Sequence, residues 1–162
     1  MPLTKDKYFE LIDSNSDYPH FRCALGAYIP GSLYKYFSIP DDSDEARKRF
    51  EQLKSGEIWF SKRSGLNDPF EFEHIALKGA QNDARQYYLN KQQELEVCCF
   101  SALLYNKLMW SHYAAGYKGY CVEFRVESPE RFYPVIYENE VPDLSQEYQR
   151  FYDMRNEMCA NP

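Results

Sequence analysis

Apolar and polar positions change period along the chain, and each change marks an element. In "TKDKYFELIDS", Tyr8, Leu11 and Ile12 fall on one helical stripe behind Thr4, a residue type that caps helices. Residues 21–31 are ambiguous, because Gly26, Pro30 and Gly31 interrupt any single period. "LYKYFS" (33–38) is rich in β-formers and predicts a strand. "DDSDEARKRFEQLKSG" predicts a helix with Asp42 and Glu45 as a capping box, Ala46, Phe50 and Leu53 as the apolar face, and Gly56 as the stop. "EIWFS" predicts a short strand, and "KRSGLNDP" is a loop of turn formers.

The second half repeats the alternation of helix and strand. "FEFEHIALK" predicts a strand, and "GAQNDARQYYLNKQ" a helix with Ala80, Ala84, Tyr87 and Tyr88 in phase. "ELEVCCFS" ends in a nearly continuous apolar run, which suits a central strand. "NKLMWSHYAAG" reads as a short helix behind Asn106, closed by Gly116. "GYCVEFRV" alternates strictly: Tyr120, Val122, Phe124 and Val126 face one way, and Cys121, Glu123 and Arg125 the other. "FYPVIYE" predicts an edge or bulged strand because of Pro134. "DLSQEYQRFYDMRNEM" predicts a closing helix with Leu144, Tyr148, Phe151 and Met158 on one face. The expected fold is α+β, with helices on a mixed, mainly antiparallel sheet. One domain is expected over 1–162: a helical extension (1–31), a core (32–140) and a C-terminal helix (141–162).

Composition narrows the function. Aromatics are abundant, with 15 Tyr and 11 Phe in 162 residues, which argues against disorder and for a tyrosine-rich cleft or interface. The net charge of −6 disfavours strong direct nucleic-acid binding, which needs clustered Lys and Arg. No apolar run is long enough to span a membrane and the N-terminus has no apolar signal core, so a cytoplasmic location in the cell that makes the protein is expected. The five cysteines (Cys23, Cys98, Cys99, Cys121, Cys159) are odd in number and contain no C-x-x-C pair, so small buried free thiols are expected rather than a metal site. His20, His74 and His112 show no metal-ligand spacing. No P-loop, G-x-G-x-x-G or G-x-S-x-G occurs.

Three stretches concentrate special residues. In "LYKY", Lys35 either reaches solvent at a strand edge or lines a cleft and holds an anion. In "IWFSKRSGLNDPFEFE", Asn67 and Asp68 before Pro69 form a turn directly after an aromatic strand. In "CFSALLYNKLMWSHYAAGYKGYCVEF", Trp110 and His112 share a helix, with His112 either a satisfied core histidine or a ligand group.

Taken in order, "LYKY", "IWFS", "LNDPFE", "CFS", "MWSHYA" and "GYCVEF" resemble the bacterial family called domain of unknown function 2971, over residues 33–140. Members of that family carry a further tryptophan and a Y-E-x-E-like motif near the C-terminus, of which no copy is recognisable here. "LYKYFS" and "GEIWFSKRSGLNDPF" are also similar to the first two signatures of ADP-ribosyltransferase-like domains, often L-Y-H-G-T and G-I-Y-F-[AS]. That resemblance places Lys35 where a histidine or arginine contacts the NAD ribose, and Phe60, Ser61 and Phe70 around the nicotinamide wall. Tyr34, Tyr36, Asn67, Asp68, Trp110 and His112 complete the expected ligand-binding set, and NAD is the implied cofactor.

Cleaving NAD builds positive charge on the ribose, which a carboxylate must stabilise. The candidates are Glu138 and Glu140 in "VIYENEV", which share a face if the strand runs through them and are solvated turn charges otherwise. Lysine in place of histidine departs from the transferase pattern. The resemblance therefore implies a reduced domain with an NAD-type cleft and weak or no catalysis, acting in phage–bacterium conflict as a defence or anti-defence protein. The alternative is a small acidic protein-binding inhibitor of a host defence system, anti-CRISPR-like, acting by steric blocking or nucleic-acid mimicry. Its aromatic terminal helices would then be either core or a docking face for a protein partner.

Overall fold

The computed structural model describes residues 3–15, 17–62, 65, 81–137 and 143–160, without the side chains of Met154, Glu157, Met158 and Ala160. Among these residues the fold is α+β, with six α-helices and two small antiparallel two-stranded sheets rather than one larger mixed sheet. The chain forms two compact units, one of Met1–Ile58 and Cys99–Tyr137, the other of Trp59–Cys98 and Glu138–Pro162.

The first unit begins with two capped helices. Thr4 accepts the Lys7 amide at the start of α1 (Lys5–Ser14), as its position predicts. The ambiguous segment resolves into α2 (Tyr18–Gly26): Asp17 caps the His20 amide, and Pro19 sits in the first turn, where its missing N–H costs nothing. Tyr8 of α1 meets Phe21 of α2 edge to face, with ring centroids 5.5 Å apart. Gly26 ends α2 against a 3₁₀ turn (Pro129–Arg131), where a Cβ would lie 3.1 Å from the Glu130 amide nitrogen.

Arg22 locks this junction. It is buried, and its guanidinium donates to the backbone oxygens of Glu130 and Phe132, the latter at 3.0 Å, while stacking 3.5 Å above the Tyr133 ring. Tyr133 also shares a 2.6 Å hydrogen bond with the Tyr18 hydroxyl. The strand expected at 132–138 is therefore not found over 132–137. Pro134 lacks an amide donor, and Tyr133 is held by Arg22 and Tyr18 instead of by a sheet.

β1 (Ser32–Phe37) pairs with β4 (Tyr120–Arg125) in antiparallel register, with Leu33 opposite Phe124, Lys35 opposite Val122 and Phe37 opposite Tyr120. The alternation read from "GYCVEFRV" is the alternation observed. On the free side of β1, Tyr34 and Ser101 form an isolated bridge through two 2.8 Å backbone bonds. The apolar "CCFS" run is therefore not a central strand: β1 lies between Ser101 and β4.

α3 (Ser43–Lys54) starts at Asp42, which accepts the Glu45 amide at 2.8 Å. The Glu45 carboxylate does not complete a capping box; it pairs with Arg49 one turn on, at 2.6 Å. Phe50 stacks on Tyr120, and Tyr120 stacks on Phe37, so the apolar face of α3 covers one end of the ribbon. α5 (Lys107–Tyr113) is capped by Asn106, which accepts the amides of Leu108 and Met109. Among the described residues no helix is long and apolar enough to cross a membrane.

In the second unit the "EIWFS" strand shortens to β2 (Ser61–Lys62), paired with β3 (Glu96–Val97), and Trp59 is left 79% exposed. α4 (Asn82–Glu94) packs on α6 (Ser145–Ala160) through tyrosines: Tyr88 meets Tyr148 at 4.2 Å, and Arg155 lies 4.5 Å over the Tyr87 ring. Gln149 accepts the Gln81 amide at the start of α4. The strand expected over "FEFEHIALK" and the position of Ala80 lie outside the described residues.

The cysteines are free, but they are not buried as expected: Cys23, Cys99 and Cys159 are exposed, and Cys98 and Cys121 half-buried. Burial, and then the Glu123 carboxylate, raises the Cys121 thiol above its usual range. In native buffer, Cys23, Cys99 and Cys159 should alkylate fast, Cys121 slowly, and all five after denaturation without reductant. Mass spectrometry over a time course reads this. Equal rates at Cys121 and Cys23, or masses showing two bridges, would contradict the arrangement.

Candidate functional site

The β1–β4 ribbon sorts the expected site residues by face, because side chains alternate along a strand. Leu33, Lys35 and Phe37 share one face with Tyr120, Val122 and Phe124. The Tyr34–Ser101 bridge brings Phe100 beside them, and Phe100 meets Phe124 and Phe132 edge to face at 5.4 and 5.8 Å. Lys35 is thus a cation on an aromatic surface. Its Nζ donates to the Cys99 backbone oxygen at 3.2 Å and lies 5.7 and 5.8 Å from the centroids of Phe100 and Phe37. Among the described residues it forms no ion pair with a carboxylate. The ammonium has three donors, so two remain beyond the bond to Cys99.

Tyr34 and Tyr36 project from the other face. Tyr34 donates to the Glu123 carboxylate at 3.3 Å, and partial burial, followed by that negative charge, pushes its phenol up. Tyr36 is buried, and its hydroxyl lies 2.6 and 2.8 Å from the backbone oxygens of Leu103 and Leu104, which share its single proton. Burial raises the Tyr36 phenol as well. The Trp110 indole donates to the same Leu104 oxygen at 3.0 Å and meets the Tyr36 ring edge to face at 5.2 Å. Tyr36 and Trp110 are therefore clamps on the 101–105 loop, with their polar atoms already used. His112 lies further along α5 and is exposed, which corrects its reading as a core histidine.

Of the remaining expected residues, Phe60 is exposed and Ser61 pairs with Val97 in β2, both in the second unit. Asn67, Asp68, Phe70, Glu138 and Glu140 lie outside the described residues. The structure thus brings Tyr34, Lys35, Tyr36 and Trp110 to one ribbon, but splits them between its two faces. Sequence reasoning missed Phe100, Cys99 and Glu123. Phe100 carried no local signal: it ends a nearly continuous apolar run, and the Tyr34–Ser101 bridge decides its neighbours. Glu123 is the one carboxylate of β4, and it faces away from Lys35.

Among the described residues no group of three or more His, Cys, Asp or Glu could hold a metal ion. What the Lys35 face offers is a cation with spare donors, a backbone carbonyl and flat ring surfaces. That combination suits a ligand carrying both an anionic group and a planar ring. No family, curated protein or solved structure matches this chain.

Proposed function

We infer that this protein is an ADP-ribosyltransferase-like domain that binds an NAD-type nucleotide through Lys35 and cleaves it slowly or not at all. The observation that carries the reading is the Lys35 ammonium, free of any carboxylate partner among the described residues and set between the Phe37 and Phe100 rings. A phosphate oxygen satisfies the spare donors, and the half-buried Phe37 and Phe100 rings offer an aromatic surface to a nicotinamide or adenine. Weak turnover follows from electrostatics. The Lys35 face of the ribbon is lined by Leu33, Phe37, Phe100, Tyr120, Val122 and Phe124, so the ribbon itself supplies no carboxylate to a developing ribosyl cation. Lysine in the histidine position adds positive charge where the transition state already gains it.

Calorimetric titration with ADP-ribose and with NAD tests the reading. Lys35→Ala should weaken ADP-ribose binding about tenfold or more, within the 1–3 kcal/mol or so of a charged hydrogen bond. Lys35→Arg should retain most of the affinity. No heat at millimolar ligand, or equal binding by Lys35→Ala, would refute nucleotide binding. Tens of NAD turnovers per minute would refute the weak-catalysis half alone.

A further inference from the structure

The 101–119 segment forms a second surface, on the face of the ribbon opposite Lys35, because Trp110 packs on Tyr36. Large apolar side chains stand in solvent there: Leu103 is 62% exposed, Tyr105 89%, Leu108 68% and Tyr117 60%. The backbone beneath them is fixed. Tyr36 and Trp110 hold the carbonyls of Leu103 and Leu104, and the Tyr117 amide donates to the Trp110 carbonyl. The Tyr117 hydroxyl closes the loop by donating to the Lys107 carbonyl at 3.1 Å.

Three successive residues, Ala115, Gly116 and Tyr117, have φ of 47°, 64° and 71°. A left-handed tyrosine is strained, and such strain is retained where the surrounding structure imposes it, often at functional surfaces. Here the strain presents a rigid tyrosine to solvent, which lowers the ordering cost of binding.

Charge selects the partner. Residues 97–122 contain Lys107 and Lys118 and no Asp or Glu, a balance of +2 in a chain of net −6, so the rest of the protein sums to −8. Both lysines are exposed. We propose that this surface docks an acidic protein segment whose leucine or aromatic anchors pack on Leu103, Tyr105, Leu108 and Tyr117 while its carboxylates meet Lys107 and Lys118. Two of the four anchors are leucines, which bind apolar side chains and offer no stacking plane to a base. The apolar anchors supply the affinity, and the lysines the orientation and choice of partner.

Selection from a random displayed-peptide library against the full chain tests this, with the Leu108→Asp variant as counter-target. Leu108 is exposed, so the variant should fold, and its circular dichroism and melting curve check that. Enriched peptides should combine Asp or Glu with Leu, Phe or Trp. The synthesised peptides should bind Leu108→Asp or Tyr105→Ala about tenfold or more weakly than the wild type, the scale of a lost interface anchor. Lys107→Glu with Lys118→Glu should weaken binding most at low salt. Selections that yield no peptides sensitive to Leu108→Asp, or yield peptides lacking carboxylates, overturn the proposal. So does a wild-type protein that binds a twelve-nucleotide dT strand but no selected peptide. Self-association abolished by Leu108→Asp, seen in sedimentation, would assign the surface to a second copy instead and equally overturn it.

Discussion

Gly119→Ala will destabilise the protein by about 3 kcal/mol or more, at the upper end of overpacking costs. A Cβ at Gly119 would lie 2.0 Å from the Phe37 carbonyl oxygen and 2.9 Å from the Ala114 Cα. Both are backbone atoms, so no rotamer change relieves the clash, and Ala114 is fully buried. Relief requires moving the end of β1 away from the α5–β4 connection, which would strain the 2.8 Å bond from the Gly119 amide to the Ala114 carbonyl. Gly31→Ala is the matched control, because nothing lies within 4 Å of a Cβ there. Urea unfolding of the two variants reads the difference. Equal midpoints would mean that β1 and the 114–119 turn do not approach as closely as described.

Removing Arg22 has the next largest effect. Arg22→Ala should cost about 3 kcal/mol, because it withdraws charge-assisted hydrogen bonds from two carbonyls and leaves a void beneath the Tyr133 ring. One guanidinium nitrogen, Nη1, is buried and has no hydrogen-bond partner among the described residues. Arg22→Lys should recover only part of the loss, since an ammonium cannot reproduce the planar fork or the stacking. Tyr18→Phe removes a hydrogen bond between exposed hydroxyls and should cost under about 1 kcal/mol. If Arg22→Ala unfolds within 1 kcal/mol or so of the wild type, water replaces the guanidinium and α2 is not locked to the 3₁₀ turn through it.

Local signals in the sequence were strong where one residue type has one structural use. Asp42 and Asn106 each cap the helix they precede. The strict alternation from Tyr120 to Arg125 set both the strand and its faces. Signals failed where a distant partner decides. The run "FYPVIYE" suggested an edge or bulged strand, but Arg22, more than 100 positions away, takes the Phe132 carbonyl and the Tyr133 ring. Nothing in "YPHFRCALG" marks its arginine as buried, because a helix with an arginine ordinarily turns it to water. The apolar "CCFS" run looked like an interior strand, whereas Cys99 is exposed and only Ser101 bridges to β1.

The candidate site shows the same division. "LYKY" was legible as a strand with a lysine of interest, and its aromatic setting was not. Lys35 meets Phe100 only because Tyr34 pairs with Ser101, a register that no local pattern encodes. The resemblance to ADP-ribosyltransferase-like domains implies ligand contacts at Tyr36 and Trp110. Their hydrogen bonds to Leu103 and Leu104 instead give them a loop to hold.

Ligand-induced chemical shift changes test the Lys35 reading most directly. With aromatic rings isotope-labelled, ADP-ribose titrated into the wild type should shift Phe37, Phe100 and Phe124, leave Trp110 on the opposite face nearly unmoved, and lose these shifts in Lys35→Ala. Shifts at Trp110 without change at Phe37 and Phe100, or the same shifts in Lys35→Ala, would contradict it.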